Sequence, residues 1–87
     1  MPSEPAPPDW VLTQRRAIGA HIREARVAAK LSQEALAERV ERDRQTVNRI
    51  ENGVVATRVD TLIRIARALD MPLAELVREE PRPANGG

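Results

Sequence analysis

Apolar side chains recur along this chain at helical spacing, and β-branched residues nowhere alternate over a useful length. A first helix is predicted from Asp9, a candidate N-cap after two prolines, to about Ala29, with Ile18, Ile22, Ala25 and Ala29 on one face. A second opens at Ser32, whose hydroxyl can cap the free N–H groups of the first turn, and ends near Val40. Leu31 and Leu36 flank its start as a hydrophobic staple. A third runs from about Arg44 to Asn52 behind Asp43 as cap, with Val47 and Ile50 facing inward and Gly53 as its stop. A fourth begins after Thr57, where Leu62, Ile65, Ala66 and Leu69 complete the i, i+3, i+4, i+7 pattern. A fifth opens with Pro72 at its first helical position and buries Leu73 or Leu76. The pattern therefore predicts an all-α domain of five helices.

Composition narrows what such a domain can be. With 87 residues there is room for one domain, and its core must be aliphatic because Trp10 is the only aromatic residue. Cysteine is absent and His21 is the single histidine, so no disulfide, metal centre or cofactor is expected. Apolar runs are too short to span a membrane, and the first residues lack the basic start and apolar middle of a signal peptide. A cytoplasmic protein is the expectation. The proline- and glycine-rich ends, residues 1–9 and 79–87, read as disordered tails around a domain at 10–78. Net charge is only +1, but residues 11–78 hold thirteen Lys or Arg against nine Asp or Glu, a balance of +4 that favours an anionic partner.

The segment 33–52, Q-E-A-L-A-E-R-V-E-R-D-R-Q-T-V-N-R-I-E-N, carries the informative chemistry. Two short helices joined by about three residues, Glu41 to Asp43, must cross steeply, as in a helix-turn-helix. Ala37 is small enough for that approach, and Leu36, Val40, Val47 and Ile50 seal it. Arg44, Gln45, Asn48, Arg49 and Asn52 fall on the outer face of the third helix, with Thr46 at its edge. An arginine fork matches the O6 and N7 acceptors of guanine, and glutamine pairs in the same way with adenine. One α-helix fits the major groove of double-stranded DNA, so this face is suited to lie there.

From Ile18 to Leu76 the sequence resembles the Cro-type helix-turn-helix domain of phage repressors and small bacterial regulators. The resemblance rests on I-G-A-H-I-R-E-A-R, L-S-Q-E-A-L-A, R-Q-T-V-N-R-I-E-N-G and T-L-I-R-I-A-R-A-L, in the family's order and spacing. It implies a compact lambda-repressor-like fold with the helix-turn-helix at the second and third helices. It also implies base reading by Arg44, Gln45 and Arg49, with Thr46 and Asn48 as additions. Phosphate contact is implied for Ser32, Gln33, Asn52, Thr57 and Arg58, and a largely buried ion pair for Arg26 and Glu51. The chain departs from the pattern in three places. Glu41 stands where the family usually has a glycine in left-handed conformation. The loop after the third helix is apolar, V-V-A. The first helix extends about two turns upstream through Trp10, Val11 and Leu12.

Taken together these features point to a transcriptional regulator, a repressor binding a palindromic operator as a homodimer, with a regulatory protein as a further possible partner. The alternative is a helical protein–protein module such as an antitoxin or anti-repressor partner, for which the outward Arg-Gln-Thr and Asn-Arg would have no use. An enzyme is not expected: Glu34, Glu38, Glu75 and Asp60 form no acid–base arrangement and read as helix-surface charges. His21 is expected to be a partly exposed structural residue, and Val54 and Val55 to pack onto their own domain or against a second subunit.

Overall fold

The computed structural model describes residues 5–79. Five helices and no strand occur among them: α1 Asp9–Ala28, α2 Gln33–Arg39, α3 Arg44–Glu51, α4 Val59–Ala68 and α5 Leu73–Val77. The expected tails fall mostly outside the described residues. Pro5 to Pro8 form no helix, and Asp9 already belongs to α1.

Ile22, Leu36, Ala37, Val40, Val47, Ile50, Leu62, Ile65, Ala66, Leu69 and Leu76 form one core to which every helix contributes. Ile18, Ala25, Leu31 and Leu73 pack half-buried against it. Leu76 is the fully buried leucine of α5. Ala29 is exposed and caps α1, because the helix ends before its buried face reaches that far.

The helix starts divide into two kinds. Ser32 accepts a hydrogen bond from the Ala35 N–H at 3.0 Å, and Asp43 from the Thr46 N–H at 2.7 Å, so α2 and α3 have side-chain caps. The remaining three have none. At α1 the cap position belongs to Pro8, and Asp9 is the first helical residue, where its charge complements the helix dipole. Pro72 likewise stands one residue before α5, at the cap position.

α1, α2, α3 and α4 end in the same way. The residue two beyond the cap donates its N–H back across the last turn: Leu31 to Arg26, Arg42 to Ala37, Val54 to Arg49 and Met71 to Ala66. Such a closure places the intervening residue in left-handed conformation. Only Gly53 (φ 69°) is a glycine; Lys30 (60°), Glu41 (57°) and Asp70 (54°) hold the other three places.

α1 is latched to α5 by polar contacts far apart in sequence. His21 Nδ1 donates to the Leu76 carbonyl at 2.9 Å, and Gln14 Nε2 donates to the carbonyls of Val77 and Arg78, each at 3.1 Å. His21 is therefore buried (3 % exposed) rather than partly exposed as its place on the helix flank suggested. The upstream extension carries the Gln14 latch, but Trp10 remains three-quarters exposed on it. No described helix is long and apolar enough to cross a membrane.

Candidate nucleic-acid interface

α2 and α3 meet across the four residues 40–43. Val40 closes α2, Glu41 turns the chain through its left-handed backbone, and Asp43 restarts it as the cap of α3. Leu36, Ala37, Val40, Val47 and Ile50 are buried between the two helices and the rest of the core. The opposite face of α3 therefore has no choice but to face solvent. Arg44, Gln45, Asn48 and Arg49 are exposed along it, Asn52 is exposed at its end, and Thr46 is half-buried at the edge. Ser32, Gln33 and Arg58 stand at the starts of α2 and α4, with Ser32 and Arg58 exposed and Gln33 and Thr57 half-buried.

The C-terminal end of α3 is held tightly against α1. A Cβ on Gly19 would lie 2.3 Å from the Glu51 carbonyl oxygen and 2.6 Å from that of Ile50, so the helix backbones touch there. A Cβ on Gly53 would lie 2.8 Å from the Arg16 Cα, and its φ disfavours any other residue as well. Between these contacts and Leu31 lies an ion pair. Arg26 Nε donates to Glu51 Oε2 at 2.6 Å, its Nη2 donates to Oε1 at 3.1 Å, and its Nη1 donates to the Leu31 carbonyl at 2.8 Å. Side-chain exposure is 12 % for Arg26 and 2 % for Glu51. The hydrogen bond that Arg26 donates to Glu51, reinforced by the carboxylate's charge, holds the guanidinium above its ordinary range despite burial.

Residues 22–76 match the model of the helix-turn-helix family. The chain belongs to the Cro/C1-type helix-turn-helix family. Several solved structures superpose on it. The restriction-modification controller protein C.AhdI from Aeromonas hydrophila is 34% identical, with 75% of this chain and 94% of that one covered and a TM-score of 0.72. The hypothetical transcription factor NHTF from Neisseria is 26% identical, with 99% and 91% covered and a TM-score of 0.71. The clp gene regulator ClgR from Corynebacterium glutamicum shares the fold at 24% identity and a TM-score of 0.71, over 83% of this chain and 71% of that one. No curated protein sequence matches the chain at comparable significance.

Within this helix-turn-helix fold, the structure adds contacts that the sequence pattern did not supply. Gly19 lies inside one of the quoted motifs, but nothing local marks it as a backbone contact. Gln33 has its carboxamide tied on both sides. Its Nε2 donates to Glu51 Oε1 at 3.1 Å, and its Oε1 accepts from Asn48 Nδ2 at 3.4 Å. Asn52 is the cap residue after α3, and its Nδ2 donates to both the backbone and the side-chain oxygen of Asn48, at 2.9 and 3.2 Å. In the loop after α3, Val55 packs half-buried against the core while Val54 is exposed. Glu41 lies 3.9 Å from Arg64, both side chains exposed. Arg42 reaches the Thr61 hydroxyl at 3.4 Å.

Proposed function

We propose that this protein is a sequence-specific transcriptional regulator that lays α3 in the major groove of double-stranded DNA. The observation that carries this reading is the single exposed face of Arg44, Gln45, Asn48 and Arg49, on a helix whose other face is core. In this reading Arg44, Gln45 and Arg49 read base edges, with Thr46 and Asn48 at the margins. Ser32 and Gln33 at the start of α2, Asn52 after α3, and Thr57 and Arg58 before α4 hold phosphates.

One such unit covers only a few base pairs, too little to select a site from a genome, so the protein acts as a homodimer on two inverted half-sites. Trp10, Val54, Val59 and Ile63 leave apolar surface for a second copy or a regulatory protein. Occupying an operator in this way represses by obstructing polymerase, and the site of action is the cytoplasm. The likeness to a restriction-modification controller protein supports a regulatory role.

The test begins with selection of bound sequences from a random DNA pool. An enriched motif with two inverted half-sites, centred about one helical turn (roughly 34–36 Å) apart, is expected. Arg44→Ala and Arg49→Ala each then weaken the selected site by about 1–3 kcal/mol without disturbing the fold. Arg58→Ala weakens all sequences alike and flattens the salt dependence. Equal losses on selected and random DNA for Arg44 or Arg49 would reassign them to phosphate, and a pool without enrichment would refute the function.

A further inference from the structure

We propose that Glu51, through Gln33, is a positioning residue that fixes which atoms Asn48 and Asn52 present to DNA. This rests on the DNA-reading function above and adds a source of specificity to it. An exposed carboxamide ordinarily flips freely between two orientations, and the two offer opposite donor–acceptor orders to a base edge. Here the orientations are not independent. Glu51 is an acceptor only, and its Oε1 takes Gln33 Nε2 at 3.1 Å. Turning the Gln33 amide over would set its oxygen against that carboxylate. Its nitrogen therefore stays inward and its Oε1 points out, where it needs a donor.

Asn48 Nδ2 supplies that donor at 3.4 Å, the longest link of the relay. Asn48 Oδ1 is thereby turned the other way, and it accepts from Asn52 Nδ2 at 3.2 Å. A second bond, from Asn52 Nδ2 to the Asn48 carbonyl at 2.9 Å, anchors the far end. One buried carboxylate, itself held by two bonds from Arg26, thus polarises three amides in sequence out to the exposed face of α3.

The consequence for recognition follows from what Asn48 has left. Its Nδ2 keeps one hydrogen and its Oδ1 one lone pair, in a fixed left-to-right order. That pairs with the N7 acceptor and N6 donor of adenine, in one orientation of the A·T pair. Guanine offers two acceptors there and would set O6 against Oδ1 or leave it unpaired. The relay therefore selects adenine on one strand at the base pair under Asn48.

The test uses the full chain and the operator recovered from the random pool, with each of its base pairs substituted in turn. Gln33→Leu cuts the relay while keeping Arg26 and Glu51 paired, and its unfolding midpoint is measured alongside. Discrimination is the ratio of affinities for operator and substituted operator, which cancels any phosphate contact that Gln33 also makes. Asn48→Ala is expected to lose about tenfold in discrimination at one A·T pair. Gln33→Leu is expected to lose discrimination at that same pair, and the double variant no more than Asn48→Ala alone. In the DNA-free protein, the Asn48 side-chain amide signals should shift when Gln33 is replaced. Losses at different base pairs, multiplicative losses in the double variant, or an unchanged Asn48 signal would each overturn the relay while leaving DNA reading in place. A wild-type chain with no sequence preference would remove both.

Discussion

Three helices of this fold close on a residue that has a side chain where glycine is the easier choice, and replacing those residues should raise stability by a calculable amount. Glu41 is the instructive one, at φ 57° in the turn between α2 and α3. A Cβ in left-handed conformation costs roughly 1–2 kcal/mol, and glycine removes that cost. Glycine also widens the unfolded ensemble, returning about 0.4–1 kcal/mol. The exposed contact to Arg64, at 3.9 Å, adds little to glutamate's side of the balance. Glu41→Gly should therefore stabilise by between zero and about 1.6 kcal/mol. At roughly 4–8 °C per kcal/mol for a domain of this size, the rise in Tm is up to about 13 °C. Lys30→Gly, at φ 60°, should behave alike, whereas Asp70→Gly should gain less because a short polar side chain tolerates this backbone better. Glu41→Ala keeps the Cβ and should gain nothing from the turn. Thermal unfolding followed by circular dichroism, at one protein concentration, reads all four variants. A loss of more than about 1 kcal/mol in Glu41→Gly would mean that glutamate makes a stabilising contact outweighing the backbone term, and the steric argument would be wrong.

Glu51→Ala should cost about 3–5 kcal/mol in urea denaturation, because it strips Arg26 of its carboxylate and leaves a nearly buried charge. That is a large part of the whole stability of a domain this small, and a change under about 0.5 kcal/mol would show the pair to be solvated. Gly19→Ala should cost about 1–3 kcal/mol or more, since its methyl would overlap the Glu51 and Ile50 carbonyls; an unchanged unfolding midpoint would refute the contact. Hydrogen bonding from Thr46, side chain first and backbone second, holds the Asp43 carboxyl below the usual range. Its folded pKa lies below its unfolded one, so the cap's contribution is complete above the ordinary carboxylate pKa and is lost as pH falls through the lowered value. Asp43→Asn should flatten that part of the acid limb, and an NMR titration of Asp43 with an ordinary midpoint would contradict the assignment.

What the sequence reveals of this molecule is what neighbouring residues decide among themselves. Ser32 and Asp43 announce the starts of α2 and α3 because a capping side chain acts within three residues of itself. Gly53 announces an end for the same reason, and apolar spacing assigns Leu36, Val47, Ile50 and Ile65 to the core. Lys30 and Asp70 carry no such mark, since lysine and aspartate are common wherever a chain meets water. His21, Gln14 and Gly19 depend on partners more than thirty residues away, and spacing within α1 says nothing of what α5 or α3 will bring against them. At the interface, the outward residues of α3 follow from helix geometry once Val47 and Ile50 are placed inside. The Gln33 link does not, because Glu51 is an acceptor for Gln33 only after α1 has fixed it through Arg26.

The two ends of α3 are held very unequally. Its C-terminal end is pinned by Gly19, by Gly53 over Arg16 and by the Arg26–Glu51 pair, while Arg44 and Gln45 at the other end project beyond an Asp43 cap that involves neither side chain. Anchorage is thus concentrated in the last turn of α3 and leaves the side chains of its first turn unencumbered. In the proposed reading, substitutions at positions 44, 45 and 49 rewrite the message without loosening the mount, and a few solvent-facing letters suffice to retarget this scaffold. Its tolerance for change should fall off abruptly within the last turn of the same helix, at Ile50 and Glu51.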